Sequence, residues 1–215
     1  MTTNSRLFAE INAQMNNRDR YTHPHMISLP PKPAKYLYQE IKATEKEELS
    51  KTDIEYFTKG RVTVMSYLEL PMYPTIEEAL GYYQMKIIHF PTKSRTNGHY
   101  TAVWIYQNVL HFYDSYGFSI TKDIYLSDYL THATGEKTYN YLLHFVEDWK
   151  KRGGTVDINS FPHQSITDPN ISTCGRHCIV RLYHYRLSNV NYNKFLRMPG
   201  INPDDIVTLM TWLIL

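Results

Sequence analysis

Ser172-Thr173-Cys174-Gly175-Arg176-His177-Cys178-Ile179-Val180-Arg181-Leu182-Tyr183-His184-Tyr185-Arg186-Leu187 decides how the rest of the chain is read. Cys174, Cys178, Leu182 and Tyr185 recur at helical spacing, which predicts a buried helix carrying a cysteine in its first turn. Either Ser172 or Thr173 can cap that helix, because either hydroxyl can accept from a free amide of the first turn. A thiol at a helix N-terminus meets the positive end of the peptide dipoles, which favours thiolate over thiol. Gly175, next in the chain, has no side chain to block the approach of a substrate backbone. The pattern is that of a nucleophile, and it requires a base elsewhere.

The base is sought upstream. Gly98-His99-Tyr100-Thr101-Ala102-Val103-Trp104-Ile105-Tyr106 reads as a strand, and Gln107-Asn108 turns it into Val109-Leu110-His111-Phe112-Tyr113-Asp114. A hairpin places His99 at the start of one strand beside Asp114 at the end of the other. The carboxylate would accept from one ring nitrogen of His99 and leave the other for the thiol. This is nucleophile, base and orienter in the chain order His, Asp, Cys.

Three blocks carry a resemblance: Gly98 to Trp104, then Phe112-Tyr113-Asp114-Ser115-Tyr116-Gly117-Phe118, then Asp168-Pro169-Asn170-Ile171-Ser172-Thr173-Cys174-Gly175-Arg176-His177-Cys178. Ile87 to Thr92 and Gly200 to Val207 add to it. Together they resemble the adenain and SUMO-protease clan of cysteine peptidases, above all the maturation proteases of adenoviruses, virophages, polinton-like elements and large DNA viruses. The resemblance runs from roughly Thr52 to the C-terminus. It implies an α+β, papain-like or adenain-like fold: a central mixed sheet flanked by helices, with the cysteine at the N-terminus of a core helix. It implies an endopeptidase in which Cys174 attacks the scissile carbonyl, His99 moves the proton and Asp114 orients His99. It also implies a glutamine that donates into an oxyanion hole beside the cysteine's own amide. Loss of such a donor costs about 2.7–4 kcal/mol in a comparable enzyme.

The chain departs from the family at that glutamine. The usual spacings fall on Thr167 and Asp168, and an anionic Asp168 would oppose an oxyanion. Gln164, further upstream, is therefore assigned as the donor, brought in by a longer loop. Tyr100 stands where tryptophan is common and keeps an aromatic wall. Tyr100, Trp104 or Tyr116 is expected to wall a narrow groove that selects small substrate side chains, and Gly175 is expected to leave room for the substrate backbone. By resemblance the substrate is a capsid or other structural precursor cut during virion maturation. The setting is the virion and the host cytoplasm or virus factory.

Composition agrees with a single enzyme domain. The chain has 215 residues, 42% of them hydrophobic, enough for one substantial core. No apolar run approaches the roughly 20 residues of a membrane span, and the polar start Met1-Thr2-Thr3-Asn4 lacks a signal-peptide core, so neither membrane nor secretion is expected. Two cysteines four apart cannot staple a fold and suit a reducing compartment. Lys plus Arg exceed Asp plus Glu by 23 to 21, which does not by itself imply nucleic acid. Related viral proteases are helped by DNA or a peptide, so either is a candidate activator. Lys150-Lys151-Arg152 is more simply a match to a helix C-terminus. A monomer without cofactor or metal is expected: Cys174, His177 and Cys178 lack the paired spacing of structural zinc.

Residues 1–34 read as a polar, Pro-rich arm, with weak amphipathicity at Leu7, Ile11 and Met15 and prolines at 24, 30, 31 and 33. Residues 35–215 read as the protease domain. Helices are expected at Tyr36–Leu49, at Thr75–Leu80 with a Thr75–Glu78 capping box, at Tyr139–Trp149, and from Asn202 with Pro203 first. Strands are expected at Met85–Phe90 and Thr155–Asn159. Each site residue has a plainer role open to it: Cys174 as a small core residue, His99 as a strand histidine like His89 or His111, Asp114 as a turn acid. Cys178 is read as buried and inert, and His163 and His177 as supporting or surface residues. Two rival functions share the same residues, an isopeptidase acting on ubiquitin-like modifiers and a non-catalytic packaging protein that keeps the fold.

Overall fold

Gln107 and Asn108 both adopt positive φ, 50° and 60°, which twists a two-residue turn to match the strands it joins. The computed structural model around that turn describes residues 34–91, 98–120, 140–165, 168, 171–197 and 200–214. The Pro-rich arm before Ala34, Thr92, and Thr167, Pro169 and Asn170 of the loop ahead of Cys174 lie outside the described residues.

The chain divides into two units, residues 1–44 and 45–215. In the first, helix α1 spans Ala34–Thr44, shorter at its C-terminal end than the expected Tyr36–Leu49. In the second, a separate helix, α2, spans Lys51–Phe57. Its start is dictated locally. The Asp53 amide donates to Ser50 Oγ at 3.2 Å, and the Ser50 amide donates back to Asp53 Oδ2 at 2.8 Å. That box claims Ser50 as a helix beginning.

The body is α+β, built on a five-stranded mixed sheet flanked by helices. Its strands are β1 Thr63–Ser66, β2 Met85–Pro91, β3 Gly98–Tyr106, β4 Val109–Asp114 and β5 Thr155–Ile158, in that spatial order. The outer pairs, β1 with β2 and β4 with β5, are parallel, and β2 to β4 form an antiparallel meander. A 3₁₀ turn at Tyr67–Met72 and helix α3 at Ile76–Leu80 link β1 to β2. Thr75 caps α3, accepting from the Glu78 amide at 3.3 Å, while the Glu78 carboxylate takes the Thr75 hydroxyl at 3.3 Å rather than its amide, so the expected capping box is half made. Helices α4 Tyr141–Lys151, α5 Cys174–Tyr183, α6 Asn189–Leu196 and α7 Pro203–Ile214 follow. Arg152, just past α4, bonds both Glu77 oxygens at 2.6 and 2.9 Å and Asp148 at 2.9 Å.

Alternation along β2 to β4 splits the core into two layers. Ile87, Tyr100, Ala102, Trp104 and Tyr113 pack against Cys178, Ile179 and Leu182 of α5 and Ile206 of α7. Ile88, Phe90, Val103, Leu110 and Phe112 pack against Phe145, Val146 and Trp149 of α4. Helix α5 is buried from Cys174 to Leu182, as befits a core helix.

Two glycines allow the close approaches that shape the site. A Cβ on Gly98 would lie 2.0 Å from the Phe90 carbonyl oxygen, so only glycine lets β3 begin against β2 there. Gly117 has φ of +72°, and a Cβ on it would sit 2.7 Å from the Pro162 nitrogen. Its bare backbone lets the segment around Gln164 close over the turn that follows Asp114.

Candidate active site

Register brings the first pair together. Thr101 is opposite Asp114 in the β3–β4 ladder, and His99 lies two residues further out on the same face. His99 Nε2 meets Asp114 Oδ2 at 3.0 Å, while the Tyr116 amide donates to Asp114 Oδ1 at 2.6 Å. The carboxylate is wholly buried, and these two partners compensate its lost hydration.

With Nε2 held by Asp114, the other ring nitrogen of His99, Nδ1, is buried and makes no bond of ordinary geometry among the described residues, and Cys174 lies close enough to act on the imidazole. Burial alone would depress His99. The charge and hydrogen bond of Asp114, then the nearby Cys174, outweigh it and hold the imidazole well above its ordinary range. Tyr116 stacks on His99 with centroids 4.4 Å apart and planes 15° from parallel. An imidazole so placed can accept the thiol proton and remain stabilised as a cation by carboxylate and ring face.

Cys174 occupies the first turn of α5, but neither expected hydroxyl caps it. Thr173 is the N-cap residue with no capping bond from its side chain. Its hydroxyl turns away and donates to Asp204 Oδ1, so a buried carboxylate from α7 outcompetes the local amides. Cys178 is fully buried, donates weakly to the Tyr100 carbonyl at 3.4 Å, and burial pushes its thiol well up.

Gln164 is fixed at both ends of its residue. Its amide nitrogen donates to the Ser115 carbonyl at 3.0 Å, and Ser115 Oγ donates to Gln164 Oε1 at 2.7 Å. Its side-chain nitrogen Nε2 is buried and has no acceptor among the described residues. An unmade bond of this kind costs about 1–3 kcal/mol. Asp168 is exposed.

The groove residues are only partly brought together. Tyr116 is half-buried beside His99, and Tyr100 is buried; burial first, then the charge of Cys174, raises both phenols. Trp104 does not belong to the site. It is fully buried, donates to the Tyr185 carbonyl at 3.0 Å, stacks on His111 and lies 4.2 Å from Arg181. Arg181 is two turns down α5, about 10 Å from Cys174 along the axis. Gly175 likewise faces the core, where an added Cβ would touch Leu49, Ile54 and Tyr100 at 3.4–3.5 Å. The reason is helical geometry: one residue past Cys174 the side-chain direction has already turned inward.

Several neighbours were not singled out from the sequence. Glu48 accepts from the Gly98 amide, and His89 Nε2 lies against Gly98. Burial and then the charge of His99 lower His89, which keeps it neutral. His163 and His177 are both buried inside, and neither is a surface residue. Asp204, read only as a first-turn acid, bonds His177 Nε2 at 3.0 Å. A pairing between residues so far apart in the chain has no local signature. Among the described residues no group of three or more His, Cys, Asp and Glu is arranged to hold a metal ion, and no helix is long and apolar enough to cross a membrane.

His163 supplies a pH test of this interior. Burial pushes it down to about 4, against a raising bond to Asn193 and with lowering contributions from His177, Arg197 and Arg181. Between about pH 6.5 and 4 the unfolded chain binds a proton that the folded chain does not, so stability falls as pH falls through that window. The expected loss is about 3 kcal/mol, and urea midpoints should show it. The His163→Gln variant should lose less between pH 7 and pH 4.5 than wild type; equal losses would refute the assignment.

No protein-family model matches the chain. The chain is similar to the uncharacterized protein V9 of Sputnik virophage, with 26% identity over 178 residues that cover 80% of this chain and 99% of that protein. That relative is viral, and its name carries no activity.

Proposed function

We propose that the chain is a viral cysteine endopeptidase with an adenain-like, papain-type active site, cutting capsid or other structural precursors during virion maturation. The observation that carries the reading is His99 set between Asp114 and Cys174 at the N-terminus of a core helix. The viral relative supports a viral setting, and the virus factory and particle are the places where such cleavage would occur.

Cys174 passes its proton to His99 Nδ1, and Sγ, now a thiolate paired with the imidazolium, attacks the scissile carbonyl carbon. The carbonyl π electrons move onto oxygen, where the Cys174 amide and Gln164 Nε2 donate. Collapse breaks the C–N bond, and the amine leaves with the proton from His99. Water then attacks the thioester, His99 takes its proton, and the acid and free thiol are released. Tyr116 forms the wall beside the reacting bond.

The direct test incubates the purified chain, under reducing conditions, with structural proteins expressed from the same viral genome, with and without added DNA or peptide. Cleavage that disappears in Cys174→Ala supports the reading, and every precursor left intact overturns it. Capture by an electrophile at the C-terminus of a ubiquitin-like protein, with precursors intact, would make it an isopeptidase instead. Gln164→Ala is expected to lower kcat by about 10²- to 10³-fold with little change in KM, because the donor acts on charge that develops only in the transition state. A change confined to KM would remove Gln164 from the oxyanion hole.

A further inference from the structure

A line of buried polar groups runs beneath the site. Thr173 Oγ donates to Asp204 Oδ1, and His177 Nε2 bonds the same oxygen at 3.0 Å. His177 Nδ1 lies 3.3 Å from the Tyr113 hydroxyl, which lies 3.0 Å from His163 Nδ1. His163 Nε2 then meets Asn193 Oδ1 at 3.1 Å, and the His163 amide donates to the Ser115 carbonyl at 2.8 Å. The Tyr113 hydroxyl has one proton, so it donates to one imidazole and accepts from the other. Burial holds that phenol well above its ordinary range, so the proton stays.

The two ends of this line are the neighbours of the two groups the reaction needs. Thr173 precedes the nucleophile Cys174, and His163 precedes the donor Gln164. Thr173, Asp204, His177 and Tyr113 are at most 1% exposed and His163 is 4% exposed. A wholly buried polar network is no better for stability than well-packed apolar residues of the same volume. What it adds is a single geometry, since each member satisfies the next at a fixed distance. Helix α5 and the Gln164 segment share no covalent constraint tighter than the loop between them.

We propose that Thr173, Asp204, His177, Tyr113 and His163 are positioning residues that fix the Cys174 thiol relative to the Gln164 amide. The proposal rests on the peptidase reading for its purpose, and its two ends can be read separately. Thr173→Val removes the anchor of the thiol but keeps the shape, and Thr173→Ser restores the hydroxyl. Tyr113→Phe removes only the bridging oxygen. Misplacement of about 1 Å in a reacting group costs on the order of 100-fold.

The experiment measures Cys174 alkylation by iodoacetamide, read by whole-protein mass, beside steady-state kinetics on a cleaved precursor peptide. Thr173→Val should slow alkylation and kcat about 10- to 100-fold, with Thr173→Ser near wild type. Tyr113→Phe should lower kcat by a similar factor at unchanged KM while slowing alkylation much less, because that reaction uses no oxyanion donor. If precursors are cut but both variants match wild type, or Thr173→Ser fails to rescue, the positioning proposal falls and the peptidase reading stands. If no precursor is cut yet Thr173→Val still slows alkylation and Thr173→Ser restores it, the anchor at the thiol stands and the peptidase reading falls.

Discussion

Cys174→Ala and His99→Gln are each expected to reduce kcat/KM roughly 10⁴- to 10⁶-fold, since nucleophile and base act as one unit. Glutamine is the informative replacement at His99. It retains an N–H for the buried Asp114 carboxylate, whose unpaired burial would cost about 3–5 kcal/mol, but it has no ring nitrogen to accept the thiol proton. Alkylation by iodoacetamide separates chemistry from folding. Wild type should take one label rapidly at Cys174, His99→Gln should take it slowly, and Cys174→Ala should take none. Cys178 is silent, being fully buried with its thiol pushed up. Equal labelling rates in wild type and His99→Gln would show that the imidazole does not activate the thiol.

Asp114→Asn should cost about 10⁴-fold in kcat while leaving the backbone in place. Asparagine keeps an oxygen for the Tyr116 amide, now at 2.6 Å, and sets an NH₂ against His99 Nε2. The ring must then accept at Nε2 and carry its proton at Nδ1, the nitrogen that should receive the proton from sulfur. A second readout follows from linkage. The folded imidazole is held above its unfolded value, chiefly by Asp114, so its contribution to stability is whole below about pH 6.5 and is lost as pH rises through the folded value of about 10. Without the Asp114 charge that alkaline loss should flatten. A variant with unchanged kcat and an unchanged alkaline slope would show that Asp114 neither orients nor charges His99.

The site was legible in the sequence wherever it depends on local periodicity. The His99 strand, the Gln107-Asn108 turn and the Asp114 strand follow from alternation and turn chemistry, and the hairpin then juxtaposes the two side chains with no further information. The helix of Cys174 follows from its i, i+4 pattern. The expected helix Tyr36–Leu49 runs past Thr44 on its Lys and Glu content, and no expectation covers α2 although the Ser50 to Asp53 box is local. Trp104 was misplaced for a different reason. Alternation puts Tyr100 and Trp104 on one face of β3, but only the path of α5 across that face decides which of them is near the thiol.

The sequence by itself determined the elements and the chemical inventory: a thiol at a helix start, an imidazole and a carboxylate on one hairpin, and a glutamine within the loop before the helix. These are set by short-range sterics and hydrogen bonding, which act over a few residues. Only the tertiary structure decided the rest. The Thr173 hydroxyl caps nothing because Asp204, brought in by the last helix, binds it; Gly175 turns into the core; and Tyr113 joins two histidines from distant segments. Such partners are chosen by packing across the sheet, where burial favours pairing a polar group with an acceptor or donor that packing brings near, whatever its distance along the chain.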